Sequence, residues 1–348
     1  MISSGYIFAL LSAGAWAFAV ITFKRIGDSV DPPIINLFKN TLGFFLIGAT
    51  LLSIRFPIFE FPKSEGIGII NMYDLWVVII SGALGIGLAD IIFIRALNII
   101  GANVIAIIGS MFSVFIFGFS FLFALLFPSN FPAQRWPPAT LELVGAILVI
   151  FAIIYSSWIG TRKKESHSLR SGILIGLSAI LMMALASVLM NSIVAKANKD
   201  IGISLWIVWL RLIPGIIVPL IIVFVGGKYR KIVRILSNPM QLKQLLLGSF
   251  MATYLAISLW TVGMALESDN FTLFSVLAQT SNIFIFIMSW IILSEKITAR
   301  RVVGIGISFI GITLIMFGKS PDQKDPTKNI IIDYTYVNYK GINQEKNK

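Results

Sequence analysis

The sequence predicts an all-α integral membrane protein of ten transmembrane helices arranged as two inverted five-helix repeats. Three observations lead there. The chain is 57% hydrophobic and only 13% charged, against about a quarter charged in a soluble domain. Its apolar residues fall in runs long enough to cross a bilayer. Residues 271–293, for example, hold no charge, and at about 1.5 Å per residue a helix of that length crosses the roughly 30 Å hydrocarbon layer. The third observation is a similarity between the two halves of the chain, the kind of signal to be sought before any other.

Taken in order, the spans are read near 5–23, 34–54, 74–97, 102–127, 139–160, 171–190, 204–225, 243–265, 271–293 and 299–318. The first is read as an uncleaved helix, because no basic segment precedes it. The third and eighth run almost directly into the fourth and ninth across Asn98–Gly101 and Glu267–Asn270; each pair is near 50 residues and so needs two crossings. The Pro-rich stretch after Phe127 is loop. Asn270 and Thr272 match a glycosylation acceptor in a hinge too short to serve as one. The tail from Lys319 is polar, and disorder is the expectation for it.

Sliding the chain by 169 residues pairs Ala96 with Ala265, Leu97 with Leu266, Phe115 with Phe284 and Ser120 with Ser289. A shift of 172 pairs Lys39 with Arg211 and Gly43 with Gly215, and one of 159 pairs Gly145 with Gly304. The division expected is a first repeat at 1–160, a basic linker at 161–170, a second repeat at 171–318 and the tail at 319–348. Five spans is an odd number, so two such halves face opposite ways. Fourteen basic residues fall in loops one–two, five–six, seven–eight and nine–ten, and five in the alternate loops. The positive-inside rule then puts the first set in the cytoplasm and both termini outside.

Composition excludes several functions. There are no cysteines and one histidine, His167, so disulfides, thiolate sites and multi-histidine metal centres are ruled out, and no cofactor is expected. The net charge of +12 would suggest nucleic acid in a soluble protein; here the basic residues flank apolar spans, so the partners expected are membrane lipids and a small-molecule substrate, not nucleic acid. The glycines of Ser81–Gly87 lack a preceding strand and phosphate-loop spacing. No Ser/His/Asp set or paired carboxylates share a face, which argues against an enzyme.

Ionisable groups inside spans are costly and mark function by default. Asp90 is the deepest acid, a site for a cation or a proton, or else a structural partner for Lys39, Arg95 or Arg211. Lys39 and Arg211 occupy equivalent places near opposite faces; they attract an anion, or they snorkel to the interface, and snorkelling is favoured. Arg95 reads as interfacial. Glu267 and Asp269 read as solvated hinge residues. Glu295 reads as a cap for the tenth helix. Ser275, Gln279 and Asn282 are spaced to share a face, and Ser110 and Ser113 align with Gln279 and Asn282 under the 169 shift; the set is expected to line a symmetric cavity. Trp16 and Trp260 lie mid-span, where they stack on a substrate or, as favoured, fill core. Trp76, Trp136 and Trp158 read as an interfacial belt.

The segment 263–317 resembles the second repeat of the EamA-type transporters of the drug/metabolite transporter superfamily. The residues that carry the resemblance are Ala265-Leu266, the small and polar ninth span, Leu293-Ser-Glu295-Lys-Ile-Thr, Gly304 and Gly311. The first half matches through Ala96-Leu97 and Gly145, but lacks an acid where Glu295 has its counterpart. The resemblance implies a secondary carrier in the cell (plasma) membrane that exports small metabolites, often amino acids or their relatives, by alternating access with proton coupling. Two alternatives stand beside it: an organic-anion or sugar-phosphate exchanger using Lys39 and Arg211, and a polytopic membrane enzyme or lipid-handling scaffold.

Overall fold

The computed structural model describes residues 4–59, 70–127, 140–157, 163–197, 199–267, 271–295 and 298–317. The Pro-rich segment after Phe127, Trp136, Trp158, Asp269, the Asn270 acceptor position and the 319–348 tail lie outside them. The described residues form helices α1 (Ser4–Ile26), α2 (Pro32–Ser53), α3 (Met72–Ile100), α4 (Ala102–Leu126), α5 (Thr140–Ser157), α6 (Lys163–Val194), α7 (Ile201–Val225), α8 (Tyr229–Leu236), α9 (Pro239–Leu266), α10 (Phe271–Ala278), α11 (Thr280–Leu293) and α12 (Ala299–Phe317).

Seven of these (α1–α4, α6, α7 and α9) are long and apolar enough to cross a membrane, with shorter apolar helices at Leu143–Ala152 and Thr280–Leu293. The chain is a multi-pass, all-α integral membrane protein. The three remaining expected spans correspond to α5, to the α10–α11 pair and to α12. Two features differ from expectation. The linker expected at 161–170 is helical from Lys163 onward, continuous with α6. A further short helix, α8, follows the seventh span, with Arg230, Lys231 and Arg234 on an amphipathic turn; Lys231 reaches Asp31 at 2.8 Å.

Helix starts follow local chemistry. Asn71 and Asp74 form a reciprocal capping box at α3, Asp200 accepts from the Ile203 N–H at α7, and prolines preset the first turns of α2 and α9. Gly101, with φ of +81°, makes the α3–α4 hinge in a region open to glycine. Ser294 ends α11 in the left-handed region and turns Glu295 back into the protein. Its carboxylate accepts the N–H groups of Ala102 at 2.8 Å and Asn103 at 3.0 Å. Glu295 therefore caps α4, not the tenth span as expected: the start of α4 presents donors from a different helix, and an anion is favoured there. Glu267 is buried rather than solvated, packed on Gly5 and hydrogen-bonded with Tyr6 at the start of α1.

The helices interlock across the middle of the sequence. α1 packs on α9 and α11, α6 on α3 and α4, α2 on α7 and α9, α3 on α7, and α5 on α12. α3 and α9 each contain an eight-residue π segment, Gly82–Ala89 and Phe250–Ile257, whose starts lie 168 residues apart. α4 is interrupted at Ser110, and the helix pair α10–α11 at Gln279, 169 residues later.

Where π geometry displaces backbone bonding, side chains from other helices supply partners. Asn36 donates to the carbonyls of Ile86 at 2.8 Å and Gly87 at 2.9 Å; Ser12 donates to Ala256 at 2.8 Å. In α7, Pro219 has no N–H to give to the Gly215 carbonyl, and Asn40 donates to that oxygen at 2.6 Å. Gly82 lets α3 and α7 approach: a Cβ there would stand 2.4 Å from the Arg211 carbonyl oxygen, which is backbone and cannot swing away.

Replacing Glu295 by alanine should lower stability by about 1–2 kcal/mol through loss of two charge-assisted bonds, while Glu295→Gln, which keeps an acceptor, should lose less. Thermal unfolding of the purified protein in detergent reads both.

Candidate functional site

The helices leave a cavity of about 180 Å³ at the centre of the interlocked bundle. α1 contributes Ser12 and Trp16; α3 Asp90 and Phe93; α4 Gly109 and Phe112; α6 Met183 and Ser187; α7 Arg211; α9 Trp260; and the α10–α11 break Gln279, Ser281 and Asn282. Its walls are largely aliphatic and aromatic. Trp16 lies against Phe93 with centroids 5.7 Å apart, and Trp260 meets Phe112 edge-on at 5.9 Å. Polar groups interrupt this lining at a few points, the pattern of a ligand site.

Of the residues singled out from sequence, Asp90, Arg211, Gln279, Asn282, Trp16 and Trp260 line the cavity. The two tryptophans line it and also pack against the hydrophobic core. Ser110, Ser113, Ser275 and Lys39 are buried but do not line it. The break at Gln279 explains Ser275: the four-and-three spacing holds a common face only along an unbroken helix. Ser110 is itself the interruption in α4, and the hydroxyls of Ser110 and Ser113 find no partner among the described residues. Asn282 instead spans the two breaks. Turned together with the facing Gln279 amide, its amide donates to the Ala106 carbonyl and accepts the Ser110 N–H, each at 3.3 Å. Gly109 leaves room for it, since a Cβ there would stand 2.6 Å from the amide.

Charge placement corrects the snorkelling expectation. Lys39 is 0% and Arg211 6% exposed, and instead of diverging to opposite faces both cations lie within electrostatic reach of Asp90. Lys39 forms an ion pair with Asp90, so of the three partners considered from sequence it is Lys39 that takes the bond, while Arg95 is exposed. Arg211 is held by neutral groups: Nε–H donates to the Ser81 hydroxyl at 3.1 Å, one terminal nitrogen to the Ser81 carbonyl at 3.4 Å, and the other to the Met190 thioether. A carboxylate at depth is a better partner for a lysine than a long reach to an interface, because the cost of an intramembrane charge falls when it is paired.

Sequence reading passed over Asn36, Asn40, Ser12, Ser81 and Ser281. A signal was available for the first two: Asn36, Lys39 and Asn40 are spaced three and four along one helix face, a polar stripe in an otherwise apolar span.

Residues 170–317 match the model of the EamA-like transporter family. A protein of known crystal structure shares the fold, with a TM-score of 0.58 at 12% identity over 91% of this chain and 98% of that one. No curated protein matches the sequence.

Lys39→Met should destabilise the protein by about 3–5 kcal/mol, because it leaves a buried carboxylate unpaired. Lys39→Met combined with Asp90→Leu should recover most of that loss, since a buried pair is often replaced by apolar residues at little cost. Thermal unfolding of both single variants and the double variant measures the coupling.

Proposed function

We propose that this chain, whose residues 170–317 match the model of the EamA-like transporter family, is a secondary carrier of a small polar or amphipathic metabolite that works by alternating access around the central cavity. The observation that carries the reading is the cavity itself. It is central, bounded by helices from both halves of the chain, and lined by polar groups set among aliphatic and aromatic side chains. A site at the interface of two repeats is the architecture of a carrier.

Ten spans in two inverted repeats, 1–160 and 171–318 with a linker between and a tail after, remain part of this reading. The π segments and helix breaks recurring at offsets of 168 and 169 residues support it. So does the reciprocal packing, in which α1 meets α9 and α11 as α6 meets α3 and α4. Irregular backbone inside spanning helices is tolerated where it is buried or lines a cavity, and π segments recur at functional sites.

The finer parts of the reading are export across the plasma membrane, a substrate related to amino acids, and proton coupling through Asp90. Asp90 is the carboxylate in the cavity wall, and exchange of its bond to Lys39 for a proton is the step by which coupling would operate. Anion exchange that uses Lys39 and Arg211 together is disfavoured, because Lys39 is already committed to Asp90.

Vesicles reconstituted with the protein and loaded with candidate metabolites test the reading, with and without a pH gradient. Ser281→Trp, which fills the cavity, should cut flux at least tenfold while the protein still inserts and elutes normally. Unchanged flux in that variant would remove the cavity from the pathway, and pH-independent flux equal in Asp90→Asn would end proton coupling.

A further inference from the structure

We propose that the ligand of the central cavity is a small monoanion with an apolar or aromatic remainder, a monocarboxylate in chemical class, whose negative group is held by Arg211; this rests on the cavity being the transport site. The argument is a count of charge. Lys39 and Asp90 are bonded to each other, and in this bonded state, with one proton between them, the pair is neutral. A guanidinium keeps its proton. Among the described residues no carboxylate lies within ion-pair distance of Arg211, and Asp90 and Arg211 are the charged groups in the wall. Lys39, Asp90 and Arg211 together therefore sum to one positive charge, and the one carboxylate among them is bonded to Lys39 rather than to Arg211.

A buried charge without a counter-charge is costly unless something supplies one. A ligand anion would do so. Ser81 and Met190 engage three of the five guanidinium N–H groups, which leaves two to donate to a carboxylate. These contacts also fix the guanidinium in place, as recognition of a carboxylate by arginine requires.

The rest of the wall selects the remainder of the ligand. Trp16 against Phe93 and Trp260 against Phe112 offer aromatic surface. The volume of about 180 Å³ compares with the roughly 150 Å³ of a cavity that binds benzene. A phosphate ester would bring about two negative charges to one positive one. An amine would meet Arg211 unfavourably, with Asp90 already occupied, which narrows the amino-acid relatives proposed above to those without a free ammonium.

The full chain in lipid nanodiscs is titrated with phenylacetate, benzoate and 4-methylpentanoate, and with the amides and amines of the same skeletons, by calorimetry and thermal unfolding. A carboxylate is expected to bind at least tenfold more tightly than its amide, and the amine more weakly than either. Arg211→Gln should bring carboxylate affinity down to that of the amide. Arg211→Lys, which keeps the charge, should retain the preference at reduced affinity. Failure of every carboxylate to bind, amides or amines binding as well, or a folded Arg211→Gln that keeps the preference would each overturn the proposal. If Arg211→Gln does not fold, the wild-type ranking and Arg211→Lys decide. Vesicle flux separates the two readings: a carboxylate bound in this order but not carried leaves the assignment standing and removes the carrier, whereas an amine carried in place of carboxylates does the reverse.

Discussion

Hydrocarbon offers no hydrogen bonds, so a polar group inside the bilayer layer is costly unless another part of the protein answers it. The middle of this bundle is built around that constraint. One face of α2 presents Asn36, Lys39 and Asn40, and each meets a group that regular helix geometry would not have exposed or neutralised. Asn36 takes the carbonyls freed along the π segment of α3, Asn40 the carbonyl below Pro219 of α7, and Lys39 the carboxylate of Asp90. Three helices are fixed to one another by these bonds, and the distorted stretches they stabilise stand next to the cavity.

The same accounting separates scaffold from candidate ligand contacts. Lys39 is spent within the protein, as are the amide N–H groups of the two asparagines. Arg211 differs: its partners are neutral, and it stands in the cavity wall. Two cations that look equivalent under the 172-residue shift therefore have different surroundings, and a duplication in sequence does not carry over to a duplication of role.

How far the sequence could be read depended on the physics of each feature. Helix positions were legible because hydrophobic length is a one-dimensional property: the third span, read at 74–97, occupies Met72–Ile100. The helix α8 was not, since eight residues with three bases resemble a loop when judged by hydropathy alone. In the site, charge at depth pointed to Asp90 and Arg211, and polarity in the ninth span pointed to Gln279 and Asn282. Ser275 was misplaced because a helix break has no reliable signature in composition. The target of Glu295 was misassigned because the nearest helix start in sequence, α12, is not the one it reaches in space; that is the start of α4, nearly two hundred residues earlier. Lys39 was expected to snorkel for a related reason: its partner is 51 residues away.

The π segment of α3 has a consequence for how the chain tolerates change in length. Each residue advances an α-helix by about 100°, and a π segment accommodates extra chain within a wider turn. A turn at ordinary winding needs about one residue fewer to sweep the same angle, so losing a residue between Gly82 and Ala89 and tightening that turn would leave Asp90–Ile100 aimed much as before relative to Met72–Ser81. The same loss within Met72–Ser81, where no surplus exists, would turn the residues before it by about 100° relative to Asp90. The wide turn is thus the one stretch of this helix with a residue of slack.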